Sequence, residues 1–152
     1  MWQEVKNTKK LYLYHATLSV PLVNCKFHLI ATSHFEKTVN SKDFMSVFPH
    51  EEHIKDLGYY GMTFSDYPSG QYGIVLPPEG LNHNVIAHEI HHATNRIGGH
   101  IGCTNTPNVS EEFYATIAGW LGETVHTQLT EWGLKLRPFF YDINPVNRSA
   151  LK

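Results

Sequence analysis

The sequence predicts an α+β domain: a small antiparallel sheet in the N-terminal half, packed against two main helices that follow it. Three observations predict it. Segments rich in β-branched and aromatic residues are confined to the stretch from Leu11 to Leu76. Long runs with apolar residues at helical spacing appear only after Asn82. Strands gathered early and helices gathered late argue for segregated layers rather than alternating βαβ units.

The elements follow in order. From Leu11 to Ala31, strand-forming residues are split at Val20-Pro21, which reads as two antiparallel strands joined between Pro21 and Asn24. The segment "SKDFMSVFPHEEHIKDLG" reads as short helical pieces broken at Pro49 and ended near Gly58. "YYGMTFS" and "QYGIVLPPEG" are two further strands around the turn "DYPSGQ", the second stopped by Pro77-Pro78. The first main helix runs from about Asn84 to Ile97, with Asn82 or Asn84 as N-cap and Gly98-Gly99 as terminator. The second starts near Asn108 or Ser110 and ends near Gly133. Residues 138–152 read as an extended tail, leaving one domain over residues 1–137.

The composition narrows the classes of partner. The chain has 152 residues, 41% hydrophobic and 17% charged, which suits a globular fold with a real core. A formal net charge of -2 gives no basis for a nucleic-acid or anionic-membrane partner. The most apolar early run, "LSVPLVNCKFHLIA", is interrupted by Pro21, Asn24, Lys26 and His28 and does not read as membrane-spanning. The N-terminal "MWQEVKNTKK" has no signal-peptide core, and Cys25 and Cys103 match no zinc spacing. A cytoplasmic protein with two reduced thiols is expected.

The chemistry is concentrated in "VIAHEIHHATNRIGG", Val85 to Gly99. His88 and His92 are one helical turn apart, about 40° from each other on one face, so both imidazoles can reach one zinc ion. Glu89 is rotated about 100° from His88, where its carboxylate can act on a metal-bound water without binding the metal. Ile86, Ile90, Ala93 and Ile97 gather on the opposite side, able to pack on a sheet while the histidines line a cleft. The chain's eleven histidines make chance motifs a concern, yet its own frequencies give only about 0.05 occurrences of H-E-x-x-H. His91 reads as a flank residue. "PHEEHIK", with His50 and His53, reads as a solvated helix start, and His15, His28 and His34 as structural or surface residues.

A catalytic zinc site needs a third protein ligand. The metzincin pattern fails, since Asn95 and Gly98 stand where its glycine and third histidine belong, and His100 comes two residues later. "SEEFYATIAGWLGE" offers a carboxylate instead. Glu111, Glu112, Ala115, Gly119 and Gly122 share a helix face about 100° wide, and a stripe of small residues lets another helix approach. Geometry does not separate Glu111 from Glu112. His126 shares that face but lies about 21 Å from Glu112 along the axis.

"VIAHEIHH" followed by "EEFYATIAGWL" resembles the gluzincins, zinc metallopeptidases with H-E-x-x-H and a downstream glutamate. It looks most like their small single-domain members found in phage and mobile elements, which would make the compartment the host cytoplasm. The resemblance spans Ile74 to Leu121. It implies a zincin-like metallopeptidase domain, Zn²⁺ held by His88, His92 and Glu112, Glu89 as general base, and a peptide or protein substrate. It also implies an edge strand at Tyr72 to Leu76 for substrate addition. A second oxyanion donor is usually wanted; Tyr114, His100 and His83 are candidates, though an ordinary packing role is the favoured reading of each. Thr116 stands where thermolysin-like members carry an aspartate, so their outer ligand contacts do not transfer. The alternative expectation is a catalytically silent zincin-fold binding or assembly protein, with a structural metal or none.

Overall fold

The computed structural model describes residues 11–49, 60–101 and 109–137, with side chains of the last segment from Glu111 onward. The expected helix start at "PHEEHIK", Cys103 and the tail after Pro138 lie outside these residues. Four strands, β1 (Leu13–Ser19), β2 (Lys26–Thr32), β3 (Met62–Asp66) and β4 (Gln71–Leu76), form one sheet in the order β1-β2-β4-β3. Four α-helices among the described residues accompany it: α1 (Phe35–Val39), α2 (Lys42–Val47), α3 (His83–His100) and α4 (Val109–Glu131). The α+β class is as expected.

The sheet is mixed, which corrects the antiparallel expectation. β1–β2 and β3–β4 are antiparallel hairpin partners, but β2 and β4 pair in parallel, Leu29 opposite Ile74. Parallel neighbours need a crossover, and the chain between β2 and β3 includes α1 and α2, which cover one face of the sheet. Phe35, Val39, Phe44 and Phe48 pack there against Ile30, Phe64 and Val75. The other face presents Phe27, Leu29, Ala31, Tyr72, Ile74 and Leu76 to α3 and α4. Alternate residues of β2 and β4 thus serve two cores, so both strands are almost wholly buried. A strand buried on both faces reads as a near-continuous apolar run, as "YGIVL" does. Tyr72–Leu76 is therefore central, and β1 and β3 are the edges.

Helix α3 begins at the expected cap: Asn82 accepts a hydrogen bond from the Val85 amide at 2.9 Å. It does not stop at Gly98-Gly99 but continues to His100. Gly98 is a packing residue, since a Cβ there would overlap the Tyr114 ring of α4. The C-terminus of α4 does match expectation. Gly133 takes φ 71°, its amide donates to Thr130 O at 2.9 Å, and the Leu134 amide donates to Leu129 O at 3.0 Å.

The face of α4 that meets the core is Ile117, Leu121, Val125 and Leu129, spaced four apart. The small-residue stripe points elsewhere: Ala115 and Gly119 are exposed, and neither Gly119 nor Gly122 has a described neighbour within 4 Å of where a Cβ would sit. The expected close approach along that stripe is corrected accordingly. Large aliphatic side chains remove far more apolar area from water than glycine and alanine, so they decide which face turns inward. No helix among the described residues is long and apolar enough to cross a membrane.

Candidate metal centre

Helix α3 sorts its residues sharply. Val85, Ile86, Ile90, Ala93 and Ile97 are buried against the sheet and α4, as the periodicity predicts, while His88, His91 and His92 are exposed. Glu89 lies on the inward side among them. Its side chain is 7% exposed, against 67% for His88.

His88 and His92 meet as the one-turn spacing requires, their Nε2 atoms 3.0 Å apart. The ring geometry of this contact differs from that of the His15–His28 pair. His15 and His28 provide the comparison: their nitrogens are 2.9 Å apart, planes 7° apart and centroids 5.2 Å apart, so the rings face head-on. His88 and His92 have nearly the same nitrogen separation, but their centroids are only 4.6 Å apart and their planes are at 79°. The two rings are steeply inclined to one another. Two exposed imidazoles this close on one helix face could share a metal ion, the pair that the H-E-x-x-H spacing predicts.

Glu89 has one oxygen held and one facing the pair. Thr63 Oγ1, on the edge strand β3, donates to Glu89 Oε2 at 2.7 Å. The other oxygen, Oε1, is 4.0 Å from His88 Nε2. The same hydroxyl lies 3.1 Å from the Glu89 carbonyl oxygen, and Arg96 Nη1 donates to Thr63 O at 2.9 Å and to Ser65 Oγ at 3.1 Å. Residues of α3 two turns apart thus grip one edge strand. Thr63 and Arg96 carry no sequence signature, because only the fold brings residue 63 beside residue 89.

The third ligand is not brought in. Among the described residues, no three His, Cys, Asp or Glu side chains form a group able to hold one metal ion. Glu111 and Glu112 are exposed at the start of α4 and do not join His88 and His92. Two contacts fix the antiparallel register of the helices: His83 against His126, with ring centroids 5.2 Å apart, and Gly98 against Tyr114. By that register Glu112 lies about 10 Å beyond His92 along the α3 axis.

The expected oxyanion donors are engaged elsewhere. His100 stacks on Tyr67 and meets Tyr72 edge-on, about 12 Å past His92 along the helix. His83 faces His126, whose pKa is lowered by burial and by His83 itself. Tyr114 lies against Gly98. With Tyr72–Leu76 central, the sheet edge beside α3 among the described residues is β3, where Arg96 already takes the Thr63 carbonyl.

His15 and His28, read as structural, form a polar cluster on the α1/α2 side of the sheet. His28 Nε2 lies 2.6 Å from Gln71 Oε1, an acceptor, so His28 donates there and presents Nδ1 to His15. Burial lowers both pKa values, that of His15 to about 4 with His28 contributing. The chain matches no protein-family model, and no curated protein or solved structure is significantly similar to it.

Proposed function

We propose that the protein is a metal-dependent peptidase in which His88 and His92 hold a divalent ion and Glu89 is the general base. Zinc is the ion of choice, since imidazole and carboxylate ligands suit it and it supports hydrolysis without redox chemistry. One observation carries the reading: two exposed imidazoles of α3 lie with their Nε2 atoms 3.0 Å apart beside a buried carboxylate. A carboxylate on the core face of a helix costs more than an aliphatic residue would, which argues for a use beyond packing. When bound, the metal would polarise the scissile carbonyl and make water acidic enough to ionise near neutral pH. Glu89 Oε1 would accept the proton of the attacking water and return it to the leaving amine. Peptide as the substrate class, and Glu112 as third ligand, rest on the gluzincin resemblance. Ligation by Glu112 requires the first turn of α4 to be drawn toward His92, against its contact at Gly98.

The test is zinc content and casein hydrolysis for the wild type, His92→Ala, Glu89→Gln and Glu112→Gln. The expected pattern is one zinc per wild-type chain, loss of zinc and activity in His92→Ala, and weakened zinc in Glu112→Gln. Glu89→Gln should keep its metal and lose hydrolysis by about a hundredfold or more. Equal metal content in all four proteins removes the proposal.

The direct contact between the His88 and His92 nitrogens, 3.0 Å apart, supports a second reading. In it the chain is a catalytically silent α+β binding or assembly domain, and His88–His92 is an exposed hydrogen bond. Wild-type protein that takes up no zinc at stoichiometric concentration would establish that reading over the first.

A further inference from the structure

We infer that Thr63 is the positioning residue of the general base: its hydroxyl, presented by the edge strand β3, fixes which Glu89 oxygen faces the histidine pair. This rests on the peptidase reading of Glu89.

The argument starts from the carboxylate's surroundings. Glu89 and Thr63 are both buried, each 5% exposed, and Thr63 Oγ1 is 2.7 Å from Oε2. The hydroxyl has a single proton, and Oε2 is the nearer of its two acceptors, since the Glu89 carbonyl oxygen is at 3.1 Å. A buried carboxylate rotates about its last bond unless something holds one oxygen. Here the bond to Oε2 leaves Oε1 as the oxygen nearest His88, at 4.0 Å. A base must lie within reach of the proton it takes, so which oxygen points outward matters to the rate.

The hydroxyl is itself held. Arg96 fastens the Thr63 carbonyl from one side, and on the other side Thr63 lies opposite Ile74 of the central strand β4. Gly61 allows the strand to come this close, since a Cβ there would lie 2.9 Å from Val85 Cγ1 and 3.2 Å from Glu89 Cγ. An edge strand held at one residue by both a neighbouring strand and an arginine gives the hydroxyl a fixed position relative to α3. An outer-sphere partner of this kind typically contributes tenfold to a hundredfold to activity.

The experiment uses full-length, zinc-loaded protein and a quenched-fluorescence peptide chosen from a mixed-sequence library by wild-type cleavage. Thr63→Val keeps the β-branched shape and removes the hydroxyl; Thr63→Ser restores the hydroxyl. Thr63→Val should lower kcat by about tenfold to a hundredfold with KM and zinc affinity unchanged, and Thr63→Ser should recover most of the loss. Thr63→Val with wild-type kcat overturns the inference and leaves the peptidase reading standing. A loss of kcat that Thr63→Ser fails to rescue, or that tracks a loss of zinc, also overturns it by making the residue merely structural. Wild-type protein that loads zinc and cleaves no library peptide removes the peptidase reading, and this inference with it.

Discussion

Gly98 of α3 and Tyr114 of α4 are in direct contact, and any side-chain carbon at position 98 would overlap the phenol ring. This contact sets how far along α3 the second helix begins. Gly98→Ala should therefore destabilise the protein although alanine favours a helix by about 1 kcal/mol. Overpacking of this kind costs about 1–3 kcal/mol, and the net loss is measured as a lower urea midpoint at unchanged slope. A Gly98→Ala protein as stable as the wild type would mean that the two helices are not in contact there.

The opposite sign is expected one helix away. Gly119 and Gly122 face open space on α4, so replacing either with alanine gains helix propensity without a clash. Each substitution should raise stability by about 0.5–1 kcal/mol in thermal or urea denaturation. Ile117→Ala, on the buried stripe of the same helix, should lose about 2–5 kcal/mol. If the alanine variants at 119 and 122 were instead destabilised, the small-residue stripe would be the packing face after all.

These two helices show what the sequence discloses and what it withholds. The periodicity of α3 was sufficient to bury Ile86, Ile90, Ala93 and Ile97, to expose His88 and His92, and to place the cap at Asn82, because those outcomes depend on residues within a few turns. The face of α4 was legible too, in Ile117, Leu121, Val125 and Leu129, but the glycine and alanine stripe beside the acidic pair competes with it as a pattern. Area decides between them, and pattern alone does not weigh area. The parallel pairing of β2 with β4 depends on the 38 residues of chain between Thr32 and Gln71, and its one local trace is the unbroken apolar run "YGIVL". The Thr63–Glu89 bond has no trace at all, since a threonine in a strand is ordinary wherever it lies. The meeting of His88 with His92 was predictable for the reason that the position of Glu112 was not: one is set within a helix, the other by how two helices pack.

Acid should weaken the fold through the His15–His28 cluster. The His15 pKa is lowered to about 4 from 6.5, first by burial and then by His28, with Asp43 opposing, and burial lowers His28 as well, with Gln71 opposing. Between those values the unfolded chain binds more protons than the folded one, so stability falls as pH falls from about 6.5 toward 4. Head-on rings whose nitrogens share one proton cannot both be charged without repulsion. Urea midpoints at pH 7.5, 5.5 and 4.5 should decline in the wild type and decline less steeply in His15→Asn. Parallel slopes for the two proteins would show that this cluster does not titrate on unfolding.

The grip of α3 on the sheet edge makes the last prediction. Arg96 Nη1 reaches the carbonyl of Thr63 and the hydroxyl of Ser65 from α3, so the edge strand is closed by a side chain rather than by another strand. Arg96→Ala should remove charge-assisted hydrogen bonds and leave the Thr63 carbonyl without its cap, at a cost of about 1.5–3 kcal/mol. The loss should be uneven. Amides of β3 should exchange hydrogen faster in native protein, while those of β2 and β4, inside the sheet, keep their protection until global unfolding. Arg96→Lys should recover part of the stability, because one ammonium supplies charge but not the guanidinium fork. Uniform acceleration across all four strands would place the effect of Arg96 on the whole fold and not on this edge. Unchanged exchange in β3 would show that the strand is held by β4 alone, and Thr63 would then need no help from α3 to keep its place beside Glu89.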